Sequence, residues 1–193
     1  SMQVSDIFEL NVNICQLGLD QRRANILGRE VADKFKWKKP VIISHHMILG
    51  LQGVQPGQNK EETIIASKMS KSKPESCIYM HDTFEELKKK IDKAYCPEKT
   101  IEGNPILDYL KHLVFKRYPK IKIQRSENFG GNLELNYENL VKTYEEGKLH
   151  PMDLKNAATF YLNEMINPIR EYFEKNKKAK ALYEEVKKYS ITR

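Results

Sequence analysis

Two short apolar runs, separated by one amphipathic stretch, constrain the first third of this chain more than anything else in it. Asn13-Ile14-Cys15-Gln16-Leu17 stops at Gly18 and reads as a buried strand, and Pro40-Val41-Ile42-Ile43-Ser44 reads as a second. Between them Ala24, Ile26, Leu27, Val31 and Phe35 recur at helical spacing. Asp20 is placed to cap that helix, and the lysine-rich stretch Lys36–Lys39 closes it. Strand, helix and strand within roughly thirty residues form the βαβ unit of a parallel sheet. Two parallel strands leave their faces uncovered, so such a unit does not stand alone.

The chain then changes character. Gly50, Gly53, Pro56, Gly57, Ser67, Ser70, Ser72 and Pro74 break regular structure, which predicts one long loop over residues 50–75; loops of that length are commonly functional. From Thr83 onward, helical stripes follow one another: Phe84, Leu87, Ile91 and Ala94; Leu107, Leu110, Leu113 and Val114; Tyr137, Leu140, Val141 and Tyr144. Leu154, Ala157, Ala158, Tyr161, Leu162 and Met165 form a fourth, which Pro168 should kink or end. Ala181, Leu182 and Val186 suggest a last helix. The expected architecture is α/β over residues 1–80 and an all-α helical bundle over residues 81–193, without internal repeats.

Charge and composition exclude more than they select. The net charge is +7 in 193 residues and is spread along the chain rather than gathered in a tail. That suits a polyanionic partner such as RNA but does not identify one. No run is long and apolar enough to predict a membrane span, and no signal-peptide pattern opens the sequence. Cys15, Cys77 and Cys96 fit no metal motif and read as buried thiols of a reducing, cytoplasmic compartment. His45 and His46 are adjacent on a strand end, so their side chains point opposite ways and do not readily share an ion. No metal site is expected.

The sharpest chemical signal is Lys68-Met69-Ser70-Lys71-Ser72. Ammonium groups on a loop after a βαβ unit can follow phosphate charge as it moves during nucleotidyl transfer. By composition the run is a solvated lysine-rich loop; as a pentapeptide it matches KMSKS, the second signature of class I aminoacyl-tRNA synthetases. Further runs appear in order: Met2-Gln3-Val4-Ser5-Asp6-Ile7, Gln16-Leu17-Gly18-Leu19-Asp20-Gln21-Arg22, Gly103-Asn104-Pro105, Phe129-Gly130-Gly131-Asn132 and His150-Pro151-Met152-Asp153-Leu154-Lys155-Asn156. Together they resemble tyrosyl-tRNA synthetases of the archaeal and eukaryotic branch, to about residue 173.

The resemblance implies the C-terminal part of a Rossmann-type catalytic domain followed by an anticodon-binding domain. It implies that Lys68 and Lys71 grip the phosphates of ATP, that Ser70 and Ser72 add hydroxyl or backbone contacts, and that Met69 and Asp20 lie at the ATP site. Asp6 would accept a hydrogen bond from the tyrosine phenol, while Gln3 and Gln21 hold its amino and carboxyl end. ATP would arrive as its Mg2+ complex. Phe129 would stack on an anticodon base, Asp153 would accept from the edge of the first anticodon guanine, and His150, Pro151 and Lys155 would shape the loop. Independently of the family, Pro151 and Asp153 also suit the start of a helix.

The first signature of the family, a His-Ile-Gly-His-like run, is not found in the sequence. The chain is therefore expected to be the C-terminal half of a tyrosine–tRNA ligase. Its partners would be tRNA-Tyr, tyrosine, ATP and the N-terminal half, with little activation activity and a monomeric state alone, and a homodimeric parent. Two alternatives stand beside this: a non-enzymatic tRNA-binding fragment, and a tryptophanyl relative, against which Asp6 and the Asp20-Gln21-Arg22 run speak.

Overall fold

The computed structural model describes residues 2–54, 60–70 and 73–189. Cα packing divides the chain into two units, Ser1–Ile48 with Val54–Lys68, and Leu49–Gly53 with Met69–Arg193. The division falls at Lys68, earlier than the expected boundary at 80, and the segment Leu49–Gly53 packs with the second unit.

The first unit contains α1 (Met2–Glu9), β1 (Ile14–Gly18), α2 (Arg22–Phe35), β2 (Val41–His45) and α3 (Lys60–Ser67). The predicted βαβ unit is present: β1 and β2 pair in parallel, in a register running from Ile14↔Val41 to Gly18↔His45. Lys36 closes α2 in the left-handed conformation at φ 56°, and the Trp37 amide donates to the Ala32 carbonyl at 2.9 Å, satisfying a terminal carbonyl. The buried face of α2 is not the predicted stripe. It is Asn25, Gly28 and Ala32, whereas Ile26, Leu27 and Phe35 are exposed. Asn25 accepts from the Cys15 thiol of β1 at 3.5 Å, and Gly28 lies against Val4 and Ile7 of α1. Leu27 and Val31 instead line a cavity of about 930 Å³ with Val4, Ile7, Phe8 and Trp37. Asp20 does not cap α2; the residue before the helix is Gln21, without a side-chain cap bond.

The predicted loop over 50–75 is only partly a loop. Residues 60–66 carry neither Gly nor Pro, and Lys60–Ser67 forms α3. Within the second unit, Leu51 is fully buried; its amide donates to the Ser76 carbonyl at 2.9 Å and its carbonyl accepts from the Tyr95 amide at 2.8 Å. Gly53 sits at φ +74°, where a Cβ would come within 2.6 Å of the Tyr95 ring, so only glycine fits there.

The second unit comprises α4 (Phe84–Lys93), α5 (Pro105–Tyr109), a π-turn over Leu110–Val114, α6 (Phe115–Arg117), β3 (Ile121–Ile123), β4 (Leu133–Leu135), α7 (Tyr137–Glu145), α8 (Pro151–Lys175) and α9 (Lys177–Val186). Caps explain the starts: Thr83 and Glu86 form a capping box on α4, and the Asn104, Asn136 and Asn176 side chains accept backbone amides at α5, α7 and α9. Leu87, Ile91, Ile106, Tyr109, Leu110, Leu140, Tyr144 and Leu154 form its core.

One expectation needs correction here, and another is narrowed. The unit is not all-α, because β3 and β4 pair antiparallel with Lys122 opposite Glu134. Ile121 and Ile123 point into the core and Lys122 outward, and this period-2 alternation in Ile-Lys-Ile and Leu-Glu-Leu was the available signal. Of the two outcomes expected at Pro168, a kink or an end, the second does not occur: α8 continues to Lys175. Among the described residues, no helix is long and apolar enough to cross a membrane. Cys15, Cys77 and Cys96 are free and buried.

Candidate functional site

In the first unit, the turn Leu19–Gln21 leads from the end of β1 into α2 and presents Asp20 where the parallel strands finish. Parallel sheets place ligand chemistry at the carboxyl ends of their strands. The Asp20 side chain is 8% exposed and accepts a hydrogen bond from Lys68 Nζ at 2.8 Å, and the Gln21 side-chain amide donates to the same oxygen at 3.2 Å. The Lys68 ammonium holds the Asp20 carboxyl below its ordinary range, with help from Gln21 and against the effect of burial. Three of the residues expected at the site, 48 positions apart at the extremes of their ion pair, are thereby brought together.

Gln3 and Asp6 are one helical turn apart on α1, flanking the buried pair Val4 and Ile7. Gln3 is half-buried. Asp6 is exposed. The large cavity of this unit is bordered by Val4, Ile7 and Phe8 of α1 and does not include Gln3, Asp6 or Gln21. Among the described residues, no hydrogen bond joins Asp6 to the Asp20 cluster.

In the second unit, Met69 and Ser70 are half-buried. The Ser70 amide donates to Ser76 Oγ at 3.2 Å, and its carbonyl accepts from the Lys73 amide at 3.0 Å. Lys71 and Ser72 lie outside the described residues.

The remaining expected residues converge at the start of α8. His150 is its N-cap: Nδ1 accepts from the Met152 amide at 3.1 Å, and Pro151 occupies the first helical position. Asp153 sits in the first turn, where the helix dipole favours a carboxylate. Phe129 ends the turn Glu127–Phe129 and is 75% exposed. Phe129, His150 and Asp153 line a cavity of about 180 Å³ together with Glu98, Arg125 and Lys148. Exposed aromatic, acceptor and basic groups around a small hollow suit a splayed-out base.

Lys155 is a correction. It lies two residues beyond Asp153, about 200° around the helix, and so faces inward. It is 8% exposed, and its Nζ donates to the Asp92 carbonyl of α4 at 2.9 Å. It fastens α8 to α4 rather than facing the hollow. Conversely, Arg125, Lys148 and Glu98 were not singled out from the sequence. No spacing rule links residues 23 positions apart such as Arg125 and Lys148; the long-range packing of β3 against the α7–α8 connection does.

The family described as class I tRNA synthetases of the tryptophan and tyrosine type matches residues 1–167 of the chain. The sequence is 47% identical to "Tyrosine--tRNA ligase 2, cytoplasmic" of Arabidopsis thaliana, over 100% of this chain and 24% of that protein. It is 43% identical to the tyrosine–tRNA ligase of Thermococcus sibiricus, over 91% of this chain and 51% of that one. The fold is similar to the crystal structure of tyrosyl-tRNA synthetase complexed with L-tyrosine from Pyrococcus horikoshii, with a TM-score of 0.83, 40% identity, and coverage of 95% of this chain and 54% of that chain. The chain thus spans a quarter to about half the length of these relatives.

Proposed function

The chain belongs to the class I tRNA synthetases of the tryptophan and tyrosine type, and on that premise we propose that it is the part of a tyrosine–tRNA ligase that carries the KMSKS loop and the anticodon-reading region. The observation that carries this reading is the 2.8 Å pair between Lys68 and Asp20, which unites two separate family runs at the carboxyl end of the parallel strands. Tyrosine is favoured over tryptophan by relatives named for it across the whole chain, and by Asp6, whose carboxylate suits a phenol hydroxyl.

The parent reaction has two steps. The tyrosine carboxylate attacks the α-phosphate of ATP, supplied as its magnesium complex, and pyrophosphate leaves. The terminal ribose hydroxyl of tRNA-Tyr then attacks the activated carbonyl, the acyl–phosphate bond breaks and AMP leaves. Lys68 neutralises charge on the phosphates, and Lys71, Ser70 and Ser72 assist. To do so Lys68 exchanges the Asp20 carboxylate for phosphate oxygens, which frees Asp20 for the ribose. Met69 lines the ATP site, and Gln3 and Gln21 orient the tyrosine backbone. Positioning and electrostatics do most of this work. Phe129 stacks on an anticodon base, Asp153 accepts from the first anticodon guanine, and His150 and Pro151 hold the helix start that presents it. Buried free thiols suit a cytoplasmic location.

The exposure of Asp6 favours a second statement: this chain by itself does not assemble the tyrosine pocket, so alone it binds tRNA-Tyr with little activation of tyrosine. Binding of tRNA-Tyr and tRNA-Trp transcripts, alongside tyrosine-dependent ATP–pyrophosphate exchange, tests both parts. Preference for tRNA-Tyr with near-background exchange is expected. Equal affinity for the two transcripts would overturn the tyrosine assignment, and full exchange turnover would overturn the statement about the isolated chain.

A further inference from the structure

Two loops carry most of the residues that line the hollow at the start of α8. One is residues 126–132, where Gly130 and Gly131 follow one another in the left-handed region at φ 90° and 70°. The amides of Phe129 and Gly131 donate to the Ser126 carbonyl at 3.0 and 3.1 Å, and that of Gly130 to the Glu127 carbonyl at 2.9 Å; these bonds shape the turn but do not set its distance from the second loop. Phe129, 75% exposed, has little packing to fix its direction. The other is residues 147–150, which begins at Gly147 with φ 75° and ends at the His150 cap.

Arg125 reaches both. Its Nε donates to the Gly131 carbonyl at 3.0 Å, and its Nη1 donates to the Lys148 carbonyl at 2.9 Å. Its own amide donates to Asn132 Oδ1 at 3.0 Å, which closes the base of the first loop. Gly131 is two residues beyond Phe129, and Lys148 is two residues before His150. Among the described residues, no other side chain hydrogen-bonds to both loops. A guanidinium donates from two edges at fixed angles, so it sets a distance between the carbonyls it joins.

We propose that Arg125 is a positioning residue for anticodon reading: by bridging the Gly131 and Lys148 carbonyls it sets the gap between Phe129 and the His150–Asp153 helix start into which a base fits. This deepens the reading given under Proposed function and rests on it. Arg125 acts through Phe129 and Asp153 and does not itself read the base. A lysine at 125 keeps the charge but, with one terminal nitrogen on a flexible stem, does not hold two carbonyls at a fixed separation.

The test is equilibrium binding of the full chain to a tRNA-Tyr transcript and to the same transcript with its first anticodon guanine replaced, across a range of salt. Wild type, Arg125→Ala and Arg125→Lys are compared. Both variants are expected to lose about tenfold of the wild-type preference for the native anticodon, the scale of one misplaced base contact. The salt dependence should stay unchanged, because no phosphate contact is removed. Adding Phe129→Ala to Arg125→Ala should cost little further preference, since the two act as one unit. Retention of the wild-type preference by Arg125→Lys overturns the proposal. Equal weakening toward both transcripts with a shallower salt slope also overturns it and makes Arg125 a phosphate contact. A wild-type chain that does not distinguish the transcripts overturns the site reading itself, and the proposal with it. Urea unfolding of each variant separates these results from loss of fold, and Arg125→Lys keeps the test decisive should Arg125→Ala fail to fold.

Discussion

The Lys68 ammonium lies 2.8 Å from the Asp20 carboxylate, a contact that joins the KMSKS run to the turn after the first strand. Both groups are ones that the proposed reading assigns to ATP, and in this structure each is paired with the other.

The first prediction concerns acid stability. The native Asp20 carboxyl is held below its ordinary value of 3.8, chiefly by the hydrogen bond from Lys68. A depressed carboxyl contributes stability that is fully present above the unfolded value and is lost as pH falls through the native one. Because Lys68 is about one-third exposed, the contribution is on the order of 1 kcal/mol or less. Asp20→Asn should therefore unfold more easily than wild type near neutrality, and the two urea midpoints should converge as pH drops below 3.8. A gap that persists unchanged into strong acid would show that the pair contributes nothing.

A second prediction concerns the junction of α4 and α8. The Asp82 carboxylate accepts from Lys90 Nζ at 2.6 Å and from the Tyr79 amide at 2.9 Å, and its carbonyl accepts from Arg170 Nη1 at 2.6 Å. The two side chains of the pair are 17% and 5% exposed. Removing one partner leaves the other charge poorly hydrated. Asp82→Ala should cost about 3 kcal/mol in urea unfolding, and combining it with Lys90→Met should recover part of that loss. Additive losses would count against a coupled pair.

For Phe129, stability and binding should separate. The ring is 75% exposed, so Phe129→Ala should change unfolding by less than about 0.5 kcal/mol. Affinity for tRNA-Tyr should fall by about 1–3 kcal/mol, the range for loss of one stacked base. Undiminished tRNA binding would remove Phe129 from the interface.

Lys155→Ala should do the reverse. Its ammonium is buried on the Asp92 carbonyl, so truncation should cost about 1–3 kcal/mol of stability. The ratio of affinities for the native and altered anticodon should stay at the wild-type value. A changed ratio with unchanged stability would restore Lys155 to the reading surface.

Much of this was legible in the chain. The β1–α2–β2 unit and the helices from Thr83 onward follow local periodicity and capping, which depend on neighbours within a turn or two. The expected site residues came from ordered motifs; that Asp20, Gln21 and Lys68 touch one another is a contact no motif states. The failures share one cause. The apolar spacing of α2 foretold a helix, yet its buried side is Asn25, Gly28 and Ala32, because what lies opposite a helix is absent from its own sequence. Lys155 shares a motif with Asp153 but turns the other way, and Arg125 belongs to no quoted motif although it bridges the loops at Gly131 and Lys148.

Sequence by itself determined the family, the parallel strand pair, the helix starts and which residues are proposed to bind phosphate or a base. Tertiary structure alone decided which side chains face which way and which loops are tied together: that Asp20 holds Lys68 instead of capping α2, that Asp6 faces solvent, and that Arg125 spans two loops. Backbone periodicity and capping act over a few residues, whereas hydrogen bonds and burial depend on distances set by the packing of segments far apart along the chain.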